Sequence, residues 1–146
     1  MKRFVRLIAP ALVMLALGAS GATAQERTLY QRLGGYDGLA AIVDDFGGRL
    51  GADEQMKRFF TGHSADTQMR QRQLVLDLLC QRTGGPCFYI GRDLKTTHAG
   101  LGVGKADWDR AFKIFGETLD KLKVGEQERK DLAALLGPLE KDIVEK

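Results

Sequence analysis

Apolar residues along this chain recur at intervals of three and four rather than two, so the sequence predicts helices almost throughout and strands almost nowhere. Leu39, Ile42, Val43, Phe46 and Leu50 fall on one helical face, after Gly34-Gly35 and before Gly51-Ala52-Asp53. Met56, Phe59 and Phe60 form a short apolar cluster, closed by Thr61-Gly62-His63-Ser64. A second helix is predicted over Asp66–Gln81, where Gln71, Val75, Leu78 and Leu79 can share a face. Gly84-Gly85-Pro86 stops it, because neither residue type continues a helix. Cys87 to Thr97 reads as a loop leading into a short helical turn that carries His98 and ends at Gly100-Leu101-Gly102. Trp108, Ala111, Phe112, Phe115, Leu119 and Leu122 make the longest stripe. Leu132, Leu135, Leu136, Leu139 and Ile143 make another, interrupted mildly at Gly137-Pro138. The short connection at Gly125 predicts that these two helices pack antiparallel. The pattern implies one compact all-α domain without repeats, low-complexity tracts or linkers.

The first 24 residues stand outside that pattern. Lys2, Arg3 and Arg6 precede an apolar run from Leu7 to Leu17, and Ala22-Thr23-Ala24 follows as an A-x-A cleavage site. This order describes a secretory signal peptide, with an apolar core shorter than the roughly 20 residues that span a bilayer. The expected organisation is a leader over 1–24 and a domain over 25–146, exported to an oxidising compartment, the bacterial periplasm. Three of the 22 Lys and Arg lie in the leader and none of the 19 Asp and Glu do, leaving the domain with 19 of each sign. That balance offers no case for nucleic acid or for a membrane partner once the leader is removed. Export also makes a disulfide between Cys80 and Cys87, the two cysteines, permissible. They form no C-x-x-C-H run, so covalent haem attachment of the c type is not indicated.

The chemistry available is limited. The chain has no phosphate-binding glycine loop, no G-x-S-x-G elbow and no H-E-x-x-H. Asp44-Asp45 reads as a solvated helix edge rather than an acid–base pair, since adjacent helical residues point to different faces. His63, in a polar turn, reads as an exposed loop histidine. His98 has different company: Leu94 lies one turn before it on the same face, and Arg92 and Lys95 flank it. An imidazole, an apolar contact and nearby cations are what an iron porphyrin with two propionates needs. Taken alone, a lone histidine at such a place is more often structural, and composition does not settle it.

The order of motifs narrows the choice. Leu29-Tyr30-Gln31-Arg32-Leu33-Gly34-Gly35, then Val43-Asp44-Asp45-Phe46, Phe59-Phe60, Gly84-Gly85-Pro86 and the run from Tyr89 to His98-Ala99-Gly100-Leu101 resemble the group 1 truncated haemoglobins over about Leu29 to Val144. The resemblance implies a two-over-two helical sandwich around non-covalent haem b, with His98 as the proximal iron ligand. It places Phe60 on the porphyrin face, Phe46 at the closure of the pocket, and Leu94, Val103 and Trp108 at other pocket positions. Gln71, Val75 and Leu79 match the distal helix, with Gln71 the first candidate for a polar side chain above the iron and Gln73 the second. Lys95 and Arg92 match propionate partners.

One departure stands out. In the family Phe46 is usually followed by a tyrosine that hydrogen-bonds the bound ligand, whereas this chain has Gly47-Gly48. A glycine pair inside a helix costs about 1 kcal/mol per residue against alanine, so compensation is expected. The leading functional expectation is reversible binding or transport of oxygen, nitric oxide or carbon monoxide by a monomer or weak dimer. Nitric oxide dioxygenation, or electron-transfer or peroxide chemistry, with an external reductase is an alternative, because no flavin or nicotinamide site is visible. The non-haem alternative is an exported helical binding module.

Overall fold

The computed structural model describes residues 26–146, so the expected leader over 1–24 lies outside the described residues. These residues form seven α-helices and two 3₁₀ turns, with no strand among them. The helices are α1 (Leu29–Arg32), α2 (Gly35–Ala52), α3 (Ala65–Arg82), α4 (Leu94–His98), α5 (Lys105–Lys121), α6 (Glu126–Leu136) and α7 (Glu140–Ile143). The 3₁₀ turns are Lys57–Phe59 and Gly137–Leu139. No helix among the described residues is long and apolar enough to cross a membrane.

Local chemistry sets the boundaries. Thr28 caps α1 by accepting the Gln31 N–H, and the Gln31 side chain accepts the Thr28 N–H in return, closing a capping box. Gly34 and Gly35, at φ 89° and 69°, take the left-handed conformations that reverse the chain from α1 into α2. Ser64 opens α3 by accepting the Thr67 N–H at 3.2 Å. This helix runs one residue further at each end than the apolar pattern predicted, which brings Arg82 into it.

α2 continues unbroken through Gly47-Gly48. Its compensation lies on both faces: Leu39, Ile42 and Val43 are buried in the core, and Asp45 accepts Arg49 Nε at 2.6 Å one turn on. The core joins those residues to Leu76, Leu79 and Cys80 of α3, Phe115 and Leu119 of α5 and Leu132 of α6. α2 is therefore the hub, packed on α1, α3 and α5. The expected antiparallel return of α6 along α5 is present: Phe115 and Leu119 share the core with Leu132, Arg129 pairs with Asp120 at the connection, and Lys105 at the far end of α5 pairs with Glu140. α6 reaches the core through Leu132 and packs its backbone nearer to α1, where Arg32 pairs with Glu128 at 2.8 Å and with Asp131.

Candidate functional site

α4 contains only five residues, fewer than a helix needs to hold itself in water. Asp93 supports its entry, accepting the Thr96 N–H at 2.8 Å and the Thr96 hydroxyl at 2.7 Å. Those bonds hold the Asp93 carboxyl below the usual carboxylate range. Tyr89 braces the approach by donating its hydroxyl to the Arg92 carbonyl at 2.6 Å. Cys80 and Cys87 form a disulfide that ties this approach to the core, since Cys80 is fully buried near the end of α3.

His98 closes α4, half-buried, with Nδ1 at 2.8 Å from the Leu94 carbonyl oxygen. A carbonyl can only accept, so Nδ1 carries the proton and Nε2 keeps a free lone pair. One turn away, a cleft of about 530 Å³ opens between α3 and α4. Leu78 and Leu94 give it apolar wall, Arg82 and Lys95 bring positive charge, Asp93 and Asp142 bring negative charge, and Gln81 and Tyr89 complete its rim. An imidazole with a fixed tautomer, one turn from a cleft that holds two leucines and two cations, fits an iron porphyrin with two carboxylates, although Asp93 and Asp142 share that lining.

The other candidates fall into three groups. Leu94 and Lys95 line the cleft, whereas Arg92 projects into solvent and contributes its carbonyl to the Tyr89 bond. Leu79 and Val103 are buried, Leu79 within the central core. Phe46 stands edge-on to Phe115 at 5.3 Å, and Trp108 packs on Phe112 at 4.7 Å, so both belong to an aromatic row running from α2 along α5. Gln71 and Val75 lie on the exposed side of α3, while Gln73 donates to Tyr36 and Asp77, both at 2.9 Å.

Phe60 follows the first 3₁₀ turn and meets His63 edge-on at 6.3 Å. His63 departs from the exposed histidine expected in a polar turn. It is half-buried, with Nδ1 shut away from solvent and without a hydrogen-bond partner, because the ring folds against Phe60 instead of outward. Asp45 also departs from the expected solvated edge. Its side chain is only 11 % exposed and joins α2 to α5 by pairing with Lys121 as well as Arg49. The Lys121 ammonium, then the Arg49 guanidinium, pull its carboxyl down to about 2. Asp44 remains exposed and paired to Arg72.

Several site-building residues escaped the sequence reading. Arg82 was excluded by ending the helix at Gln81, although it sits four residues after Leu78 on the same face. Asp107, 7 % exposed, accepts Gln55 Nε2 at 2.9 Å, the Gly104 N–H at 2.9 Å and Arg58 Nη2 at 2.7 Å. The Gln55 bond, with smaller contributions from Gly104 and Arg58, lowers its carboxyl against the opposing effect of burial. Arg110 grips Asp53 in parallel, with Nε at 2.9 Å. These bonds fasten the turn carrying Phe59 and Phe60 to the start of α5. Apart from the local Gly104 bond, no periodicity announces them, because the partners lie 52, 49 and 57 residues apart.

Comparison with known proteins agrees with the helical arrangement. A group 1 truncated hemoglobin of Tetrahymena pyriformis is 29% identical over 120 residues, covering 82% of this chain and 97% of the relative. One from Mycolicibacterium paratuberculosis is 27% identical, covering 82% and 86%. The crystal structure of the Tetrahymena pyriformis truncated hemoglobin in its Fe(III) form superposes with a TM-score of 0.75 at 28% identity, covering 82% of this chain and all of that one. The helical arrangement is thus the two-over-two globin fold, and the model of the bacterial-like globin family matches residues 28–145. The chain belongs to the bacterial-like globin family.

Proposed function

We propose that His98 is the axial ligand of a non-covalently held haem b, and that the protein binds oxygen or another small diatomic ligand reversibly. A globin of this family is a haem protein; when bound, the haem supplies a ferrous centre with one position open to such a ligand. The observation that carries the reading is the 2.8 Å bond between His98 Nδ1 and the Leu94 carbonyl. It fixes the tautomer, aims Nε2 away from its own helix and raises its basicity as a donor. Arg82 and Lys95 supply cations for the propionates, and Leu78 and Leu94 supply apolar wall. The aromatic row of Phe46, Phe115, Phe112 and Trp108 keeps water from the interior side.

The decisive experiment is an absorbance spectrum of the purified protein, reduced, before and after carbon monoxide, with a His98→Ala variant alongside. The wild type is expected to show an intense Soret band that moves on carbon monoxide addition, and the variant to lose most of its porphyrin. Full porphyrin occupancy with an unchanged spectrum in the variant would sink the assignment.

The leader-like segment supports export to the bacterial periplasm, and the pairing of Cys80 with Cys87 suits such an oxidising compartment. N-terminal sequencing of the protein recovered from a periplasmic fraction should begin at Gln25. Recovery only of cytoplasmic material starting at Met1 would reject export.

A further inference from the structure

We propose that Glu145 is a positioning residue for the axial histidine, clamping the loop that leaves His98 and thereby setting how firmly the imidazole holds haem. The proposal rests on the reading of His98 as the axial ligand. α4 has support at its entry from Asp93 and Tyr89, but no side chain of its own caps its exit. Beyond His98 the chain passes through Gly100 and Gly102 at φ 82° and 67°. Glycine is at ease in that region, which also makes the segment entropically costly to hold in one conformation.

Glu145 meets that cost from outside. Gly100 donates its N–H to Oε1, and Gly102 donates its N–H to Oε2 at 2.7 Å, so one carboxylate bridges both glycines. Backbone bonds register the clamp: the Glu145 N–H donates to the Val103 carbonyl at 2.8 Å, and the Lys105 N–H to the Lys146 carbonyl at 3.2 Å. Residues 145 and 146 therefore lie as a strap along 103–105, while the preceding helix, α7, packs against α4. Inside the clamped stretch, Leu101 donates its N–H to the His98 carbonyl at 3.1 Å. A shift of the loop is passed directly to the residue that carries the imidazole.

The test compares haem-loaded wild type with Glu145→Ala, Glu145→Gln and, as a control on exposed α6, Glu126→Gln. Three quantities are read: haem transfer to excess apomyoglobin, the iron–histidine stretching band of the ferrous protein, and amide exchange at Gly100 and Gly102. Loss of two charge-assisted bonds in a solvent-exposed setting should speed haem loss in Glu145→Ala about tenfold. The stretching band should shift or broaden, and both amides should exchange faster. Glu145→Gln, with one acceptor oxygen, should fall between, and Glu126→Gln should match the wild type. Unchanged haem transfer and an unchanged band in Glu145→Ala would overturn the proposal, even if its melting temperature fell, since Glu145 would then only staple the chain end. Normal haem retention by His98→Ala would instead reject the ligand assignment itself, whatever Glu145 does.

Discussion

The side of the molecule that carries His98 and the side formed by α2 and α3 are held in opposite ways. On the first, a five-residue helix has Asp93 at its entry, Tyr89 on its approach, a disulfide behind that approach and Glu145 across its exit. On the second, Gly47 and Gly48 carry no side chain, and a Cβ built on either meets nothing within 4 Å. The ties between α2 and α3 outside the core are surface bonds, Arg72 with Asp44 and Gln73 with Tyr36. A haem site needs both characters. The side that coordinates must keep one geometry, whereas the side that admits a ligand works through cheap local opening.

The strongest way to break this contrast is at Asp107, the joint between the two sides. Its carboxylate takes the Gly104 N–H at the end of the clamped loop and reaches Gln55 and Arg58 near the Phe59-Phe60 turn. Asp107→Ala leaves Gln55 Nε2 and the Gly104 N–H without their acceptor, while the exposed Arg58 turns to water, and a little under ~3 kcal/mol of stability should be lost in denaturant unfolding. A loss below about 1 kcal/mol would mean that water replaces the carboxylate and the sides are joined elsewhere. Next in size is the disulfide. Opening the short loop between Cys80 and Cys87 by reduction should cost about 2.5 kcal/mol on the chain-entropy model. Haem loss should rise with it, because the approach to α4 loosens, while ligand release changes little. Release rates that rise as much as haem loss would erase the distinction between the sides.

Much of this architecture was legible because it is local or periodic. The faces of α2 and α5 follow from intervals of three and four, and His98 was singled out by Leu94, Lys95 and the glycines around it. On α3 the buried face runs through Leu76, Leu79 and Cys80, not through the expected Gln71 and Val75. The residues that join elements were not legible in the same way. Asp107, Asp53 and Glu145 are ordinary polar residues until folding brings Arg58, Arg110 and the glycine amides to them. The orientation of Gln73 was hidden for a similar reason. Its side chain is drawn to Tyr36, 37 residues earlier in the chain, a contact that a helical wheel does not contain. Asp45 shows the limit from the other direction: the two neighbours were expected to face different ways along a solvated edge, yet only Asp44 is solvated, and Asp45 is drawn against α5 by Lys121.

A smaller change sharpens the contrast by closing the open side. Gly47→Tyr restores the hydroxyl that the resemblance leads one to expect, and the space at Gly47 admits the new Cβ without a clash. A neutral hydrogen bond to the ligand is worth about 0.5–1.5 kcal/mol, so oxygen release should slow by up to about tenfold. Replacing glycine by tyrosine in a helix should also add about 0.5 kcal/mol of stability, less than alanine would. Stopped-flow release from both proteins reads the first effect and thermal unfolding the second. Higher stability with unchanged release would show that the side chain fills the gap without reaching the ligand.

The smallest effect concerns the exposed tie across α2 and α3. Arg72 hydrogen-bonds Asp44 and holds its carboxyl below the ordinary value of 3.8. A carboxyl whose pKa is lower folded than unfolded adds stability that is fully present above about pH 4 and fades as the pH falls through the lowered value. The pair is exposed, so solvent and salt screen it, and Arg72→Ala should cost less than about 1 kcal/mol at neutral pH. The difference between variant and wild type should then vanish in acid, once Asp44 is protonated in both. Because the tie spans the open side alone, the iron–histidine band should be unmoved. A cost that persists undiminished at pH 2 would show that Arg72 acts through packing of its aliphatic stem and not through its charge.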